Sequence, residues 1–176
     1  SAVDIGLDGE RELIMMAARI VGDEDSEFYV FAFEEGLVPI EGWPREMNID
    51  RFWSPRMPVF GDIDGDGELE YVTTYFEATQ AYIYAWNIDG TPYVHSETIN
   101  GLFAILPDPG QAGIPLLADV VGNGHPDIVF AAQRDLFRTY NQERLMAWKS
   151  DGAIPGGWPI IVTPDVFQFS PLDTEF

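Results

Sequence analysis

One unit is written three times along this chain. Asp4, Asp62 and Asp119 stand 58 and 57 residues apart, and each opens a loop with glycine at its sixth position: Gly9, Gly67 and Gly124. A carboxylate follows eight residues after each leading aspartate, at Glu12, Glu70 and Asp127. Further on, Ala32-Phe33, Ala85-Trp86 and Ala147-Trp148 close aromatic segments, an Asp-Gly or Glu-Gly turn comes after each, and Gly-Trp-Pro occurs at Gly42-Trp43-Pro44 and Gly157-Trp158-Pro159. Self-similarity of this kind confines a chain to architectures that stack one supersecondary unit against its neighbours.

The units read as short strands. Tyr71 to Phe76 is rich in β-branched and aromatic residues, and so is Ala81 to Trp86. In the latter Tyr82, Tyr84 and Trp86 share one face while Ile83 and Ala85 share the other, the pattern of a sheet covered on both sides. Trp86 and Trp148 are therefore expected in the core between sheets. Phe28 to Phe33 and Ile128 to Ala132 read as further strands, with Gly22 to Glu27 as an acidic hairpin tip. Leu13 to Val21 is dominated by Leu, Met and Ala and has helix propensity, but its place in the repeat makes it a strand. Tyr93 to Ile99 reads as an outer strand and Gly101 to Ile114 as a loop with short extended pieces.

Short antiparallel strands joined by Gly/Asp turns make a propeller blade or, less well, a solenoid rung. The expected fold is all-β, with about three four-stranded antiparallel blades over residues 1–53, 54–110 and 111–169; residues 170–176 begin or complete another blade. Three blades do not close a ring. The first loop lacks the strand that precedes the other two, and Ser170-Pro171-Leu172 parallels Ser54-Pro55-Arg56, in phase to supply it. The expectation is a homo-oligomer in which copies complete one another, or further blades of a longer protein. The opening Ser1-Ala2-Val3, without methionine, suggests a mature or excised piece.

The middle loop carries the chemistry. Asp62, Asp64 and Asp66 alternate, Gly65 and Gly67 allow tight turning, and Glu70 starts the next strand. Oxygen ligands, high negative charge and a flexible loop favour Ca²⁺. It is not an EF-hand, because Thr73 holds the twelfth place where that loop needs glutamate and a strand rather than a helix follows. An acidic hairpin turn without a cation is the alternative.

The chain has 30 acidic and 9 basic side chains, a formal charge of −21. Such a charge disfavours nucleic acid and anionic membranes as partners and suits a protein living among divalent cations. The absence of cysteine excludes disulfides, thiolate catalysis and cysteine-bound zinc. No apolar run is long enough for membrane insertion as a helix. His95 and His125 lack partners at zinc spacing, and neither a Gly-x-Ser-x-Gly elbow nor a phosphate loop occurs, so no enzyme chemistry is indicated.

Around Phe60-Gly61-Asp62-Ile63-Asp64-Gly65-Asp66-Gly67-Glu68-Leu69-Glu70 the chain resembles the FG-GAP or VCBS-type repeat of integrin-α-like β-propellers, and the Ala-Trp, Asp-Gly and Gly-Trp-Pro elements are similar to those of secreted bacterial members. The resemblance implies a cation held by Asp62, Asp64, Asp66, the Glu68 carbonyl and Glu70. In the third loop it implies Asp119, Asn123, the carbonyl of His125 and Asp127, with Val121 in place of an acid. In the first it implies Asp4, Asp8 and Glu12, with Gly6 removing a ligand. It further implies a secreted, periplasmic or cell-surface module that binds a protein or carbohydrate ligand or takes part in adhesion or assembly. A non-catalytic propeller segment of a secreted polysaccharide-active or proteolytic enzyme and a self-assembling ring subunit are the other readings. Arg134, Arg138 and Tyr140, in the longest polar excursion, are candidate binding residues, and Trp53 and Phe103 lie where a binding face could form.

Overall fold

Alternation of apolar side chains along the strands is satisfied by three antiparallel sheets laid face to face. The computed structural model describes residues 2–21, 25–47, 55–77, 80–93, 101–106, 111–133 and 143–162, none of them helical. Sheet 1 is built from β1 (Ala2–Val3), β2 (Glu12–Val21), β3 (Asp25–Glu34), β4 (Val38–Pro39) and β5 (Arg45–Glu46). Sheet 2 has β6 (Val59–Gly61), β7 (Glu70–Glu77), β8 (Gln80–Asn87) and β9 (Leu102–Ile105). Sheet 3 has β10 (Gln111–Ala112), β11 (Leu116–Ala118), β12 (Asp127–Gln133), β13 (Glu143–Trp148) and β14 (Ile160–Val162).

All pairings are antiparallel between chain neighbours, apart from the broken edge strands. In sheet 1, β4 and β5 both lie along β3; in sheet 3, β10 and β11 both lie along β12. Each sheet is thus four strands wide. The registers repeat as well: Val3↔Glu12, Gly61↔Glu70 and Ala118↔Asp127 close the three hairpins that hold the acidic loops.

Two apolar layers hold the sheets together, and sheet 2 lies in the middle. Ile14, Val30 and Ala32 of sheet 1 share one core with Tyr71, Tyr84 and Trp86 of sheet 2. Val72, Ile83 and Ala85, on the opposite face of sheet 2, share the other with Ile128, Phe130 and Trp148 of sheet 3. Trp86 and Trp148 are 0 % and 2 % exposed, in the inter-sheet position expected of them. Stacked pairs Tyr71–Trp86 and Phe130–Trp148, with ring centroids 5.2 and 5.3 Å apart, fill the two layers. Buried Thr74 is satisfied by donating to the Gly113 carbonyl at 2.6 Å, a link from sheet 2 to sheet 3. Sheets 1 and 3 share no core, so the described residues form a row of three sheets and no closed ring.

Several expectations change. The first loop has a preceding strand after all, the two-residue β1. The strand expected from Phe28 begins at Asp25, because Val21↔Asp25 extends the hairpin. The outer strand of sheet 2 is β9, one of the short extended pieces expected between Gly101 and Ile114; of Tyr93 to Ile99 only Tyr93 lies among the described residues, and it is buried. Phe103 does not belong to a binding face: it is 2 % exposed and packs 6.0 Å from Tyr93 between sheets 2 and 3. Trp53, Arg134, Arg138 and Tyr140 lie outside the described residues.

Candidate metal centre

Each acidic loop is folded by its own carboxylates. The leading aspartate turns one oxygen to the amide of the sixth-position glycine: Gly9 donates to Asp4 at 2.9 Å, Gly67 to Asp62 at 3.0 Å and Gly124 to Asp119 at 2.9 Å. The fifth-position side chain accepts from two residues on, as Asp8 does from Glu10, Asp66 from Glu68 and Asn123 from His125. The carboxylate eight residues on reaches back to the amide after the leading aspartate: Ile5 donates to Glu12 at 2.7 Å, Ile63 to Glu70 at 2.8 Å and Val120 to Asp127 at 2.9 Å. The sixth-position glycines have φ near +90°, a left-handed backbone that glycine adopts without the strain a Cβ would bring. At the fourth position φ is also positive, in Leu7, Gly65 and Gly122.

The loops differ in what they bring together. Ligand-type oxygens of Asp62, Asp64 and Glu70 all lie within 4.8 Å of one another. Oxygens about 2.4 Å from a shared calcium ion are at most about 4.8 Å apart, so this spacing fits a hard divalent cation. Asp66 is not in that group, and Glu68 is exposed with its side chain outside it. Neither Asp4, Asp8 and Glu12 nor Asp119, His125 and Asp127 form such a group among the described residues. Glu12, Glu70 and Asp127 are all buried, at 7 %, 2 % and 1 % exposure.

Burial pushes the Glu70 carboxyl up to about 7; the Ile63 amide opposes this, and the charges of Asp64, Asp66 and Asp62 add to it. A buried acid beside three others lacks a positive counterpart, and a cation would supply one. Asp119 is held below the usual carboxylate range, chiefly by the Gly124 amide and further by those of Gly122 and Asn123.

Two residues that sequence reasoning did not assign to the middle loop belong to its surroundings. Tyr93 reaches it from beyond the Asn87–Thr91 turn, returned to the sheet by its amide donating to Ala85 at 3.1 Å. Its hydroxyl stands between the Asp64 carboxylate and the Ser150 carbonyl of sheet 3, 3.4 Å from the latter, and burial raises its pKa. His125, expected to offer its carbonyl to the third loop, lays its ring on Gly65 of the second: a Cβ built there would be 2.0 Å from Cε1. The middle loop is therefore packed from the third repeat as well as from its own.

No protein-family model, curated protein or solved structure matches the chain.

Proposed function

We propose that the chain is a Ca²⁺-stabilised segment of a β-propeller of the FG-GAP/VCBS kind, serving as a non-catalytic extracellular module that binds a protein or carbohydrate. The observation that carries the cation is the convergence of Asp62, Asp64 and Glu70 within 4.8 Å around a carboxylate that is 2 % exposed. Three all-oxygen side chains at that spacing, on a hairpin with two positive-φ glycines, suit calcium better than a softer metal. Asp66 and the Glu68 carbonyl are the ligands that complete the set in this reading. The blade reading is supported by three antiparallel sheets, each four strands wide, stacked face to face with one hairpin geometry recurring at corresponding positions.

The ion is structural, because a ligand that binds only the folded chain stabilises it by mass action. Its chemistry is to neutralise the carboxylates and tie the β6–β7 hairpin together. The surplus of acids, 30 against 9 bases, matches an environment where divalent cations are abundant. Thermal melting with and without a strong chelator tests this. Chelation lowers the melting temperature of the native chain, and Asp64→Ala removes most of that dependence; an unchanged melting curve under chelator counts against the cation.

A further inference from the structure

The three loops share one set of hydrogen bonds but differ at their third position. That position is Gly6 in the first loop, Asp64 in the second and Val121 in the third, so a carboxylate stands there once. Asp64 is also the most loosely held of the acids that converge in the middle loop. Asp62 accepts from the amides of Gly65 and Gly67 at 2.5 and 3.0 Å, and buried Glu70 accepts from Ile63 at 2.8 Å. Asp64 is exposed, and its own loop gives it one long bond, from the Asp66 amide at 3.2 Å. A side chain on such a bond is free to leave its rotamer. Its oxygen nevertheless lies within 4.8 Å of those of Asp62 and Glu70.

The hold comes from outside the hairpin. Beyond the Asn87–Thr91 turn the Tyr93 amide donates to the Ala85 carbonyl at 3.1 Å, its ring packs 6.0 Å from Phe103, and the residue is 7 % exposed. From that fixed base its hydroxyl bonds the Asp64 carboxylate, with the Ser150 carbonyl of the β13–β14 connection 3.4 Å away. A phenol is protonated at neutral pH and has one proton to give, and a carboxylate takes it in preference to a carbonyl at that distance. Leu117 against Gly61 and the His125 ring against Gly65 press the same hairpin from sheet 3, which keeps the loop in place beside Tyr93. The other two units show what goes with the hydroxyl. Ile40 donates to the Ala32 carbonyl at 3.1 Å as Tyr93 does to Ala85, and Trp158 donates to the Pro155 carbonyl as Trp43 does to that of Ile40. Ile40 and Pro155 therefore stand where Tyr93 stands, and neither has a hydroxyl. Donor and third-position carboxylate are present together in the second unit and absent together in the first and third.

We infer that Tyr93 is a positioning residue of the middle-loop cation site: its hydroxyl fixes the Asp64 carboxylate in place as a ligand, so that affinity for a hard divalent cation depends on a side chain outside the loop. The inference rests on the calcium reading above. Holding Asp64 before the ion arrives removes the cost of ordering it on binding. Hydrogen-bond donors behind ligating groups are worth about tenfold to a hundredfold in metal affinity.

Calorimetric titration of the 176-residue chain with calcium gives the test. It compares the native chain with Tyr93→Phe, which keeps the ring and removes the hydroxyl, and with Phe103→Leu, which trims the ring that Tyr93 packs on. Tyr93→Phe binds calcium about tenfold or more weakly, while its melting temperature in chelator stays within about 3 °C of the native value. Phe103→Leu melts lower in chelator and keeps its calcium affinity within about twofold. On the native chain, with tyrosine carbon-13 labelled at Cζ, calcium moves the Tyr93 resonance and leaves in place that of Tyr29, which is bonded to Glu27 in sheet 1. Equal affinities for the native chain and Tyr93→Phe, or an unmoved Tyr93 resonance at saturating calcium, overturn the inference and leave the calcium reading standing. An affinity lost as much in Phe103→Leu as in Tyr93→Phe assigns the effect to packing and overturns it too. A native chain that takes up no calcium removes the calcium reading and the inference with it.

Discussion

Replacing Glu70 by glutamine separates the cost of the buried charge from the benefit of the cation. The Glu70 oxygen lies within 4.8 Å of oxygens of Asp62 and Asp64. Burial, with smaller additions from the charges of Asp64, Asp66 and Asp62, raises the Glu70 carboxyl from 4.5 to about 7, a cost of about 3 kcal/mol at about 1.4 kcal/mol per pH unit. A carboxyl raised in the folded state costs stability as pH climbs from its unfolded to its folded value, so at pH 8 the cost is present in full. Glutamine keeps an oxygen for the Ile63 amide and removes the charge. Without cation at pH 8, Glu70→Gln therefore melts higher than the native chain by about 6–12 °C, at about 2–4 °C per kcal/mol. Calcium at a hundredfold excess over its dissociation constant returns about 2.7 kcal/mol to the native chain and little to the variant, which closes the gap. Scanning calorimetry in chelator and in calcium reads both temperatures. A variant that melts lower in chelator, or that responds to calcium as the native chain does, refutes the reasoning.

Three further outcomes follow from particular contacts. Gly65→Ala forces a side chain into φ +82° and onto the His125 ring and costs at least about 2 kcal/mol in denaturant melts, whereas Gly67→Ala, with open space at φ +90°, costs about 1 kcal/mol; equal losses would contradict the packing of His125 on the loop. The Tyr71 hydroxyl is buried without a hydrogen-bond partner among the described residues, so Tyr71→Phe leaves stability unchanged or raises it by about 1 kcal/mol, and a clear loss in urea unfolding would reveal a bond this account lacks. Trp148→Ala opens a cavity between sheets 2 and 3 and lowers stability by about 3–5 kcal/mol, while Ile20→Ala, at 80 % exposure, stays within about 0.5 kcal/mol; comparable midpoints for the two would undo the assignment of the core.

The middle of the chain was the most legible part, for a physical reason. Along β8 every second residue faces a different sheet, so the alternation of Tyr82, Tyr84 and Trp86 with Ile83 and Ala85 is a direct record of two buried faces. β2 shows the opposite case. Its Leu, Met and Ala favour a helix, but Ile14 and Met16 pack toward sheet 2, and tertiary burial outweighs a propensity of a few tenths of a kcal/mol per residue. The hairpin loops were readable because acid and glycine at fixed spacing set both the turn and its hydrogen bonds. β9 was not: Leu102 to Ile105 is too short for its alternation to stand out, and a register shift between Ile83 and Tyr84 marks its irregular pairing. Tyr93 was missed as a neighbour of Asp64 because it arrives through a turn and an adjacent core. The Asn-x-Asp-Gly-Thr signal at Asn87 to Thr91 was the clue that the chain doubles back there.

The most direct measurement is anomalous X-ray diffraction from crystals grown with calcium, collected on the native chain. A peak in the β6–β7 hairpin with oxygens of Asp62, Asp64 and Glu70 about 2.3–2.6 Å from it is the predicted result. A flat map there, with the three carboxylates turned away from one another in calcium-rich crystals, would contradict it.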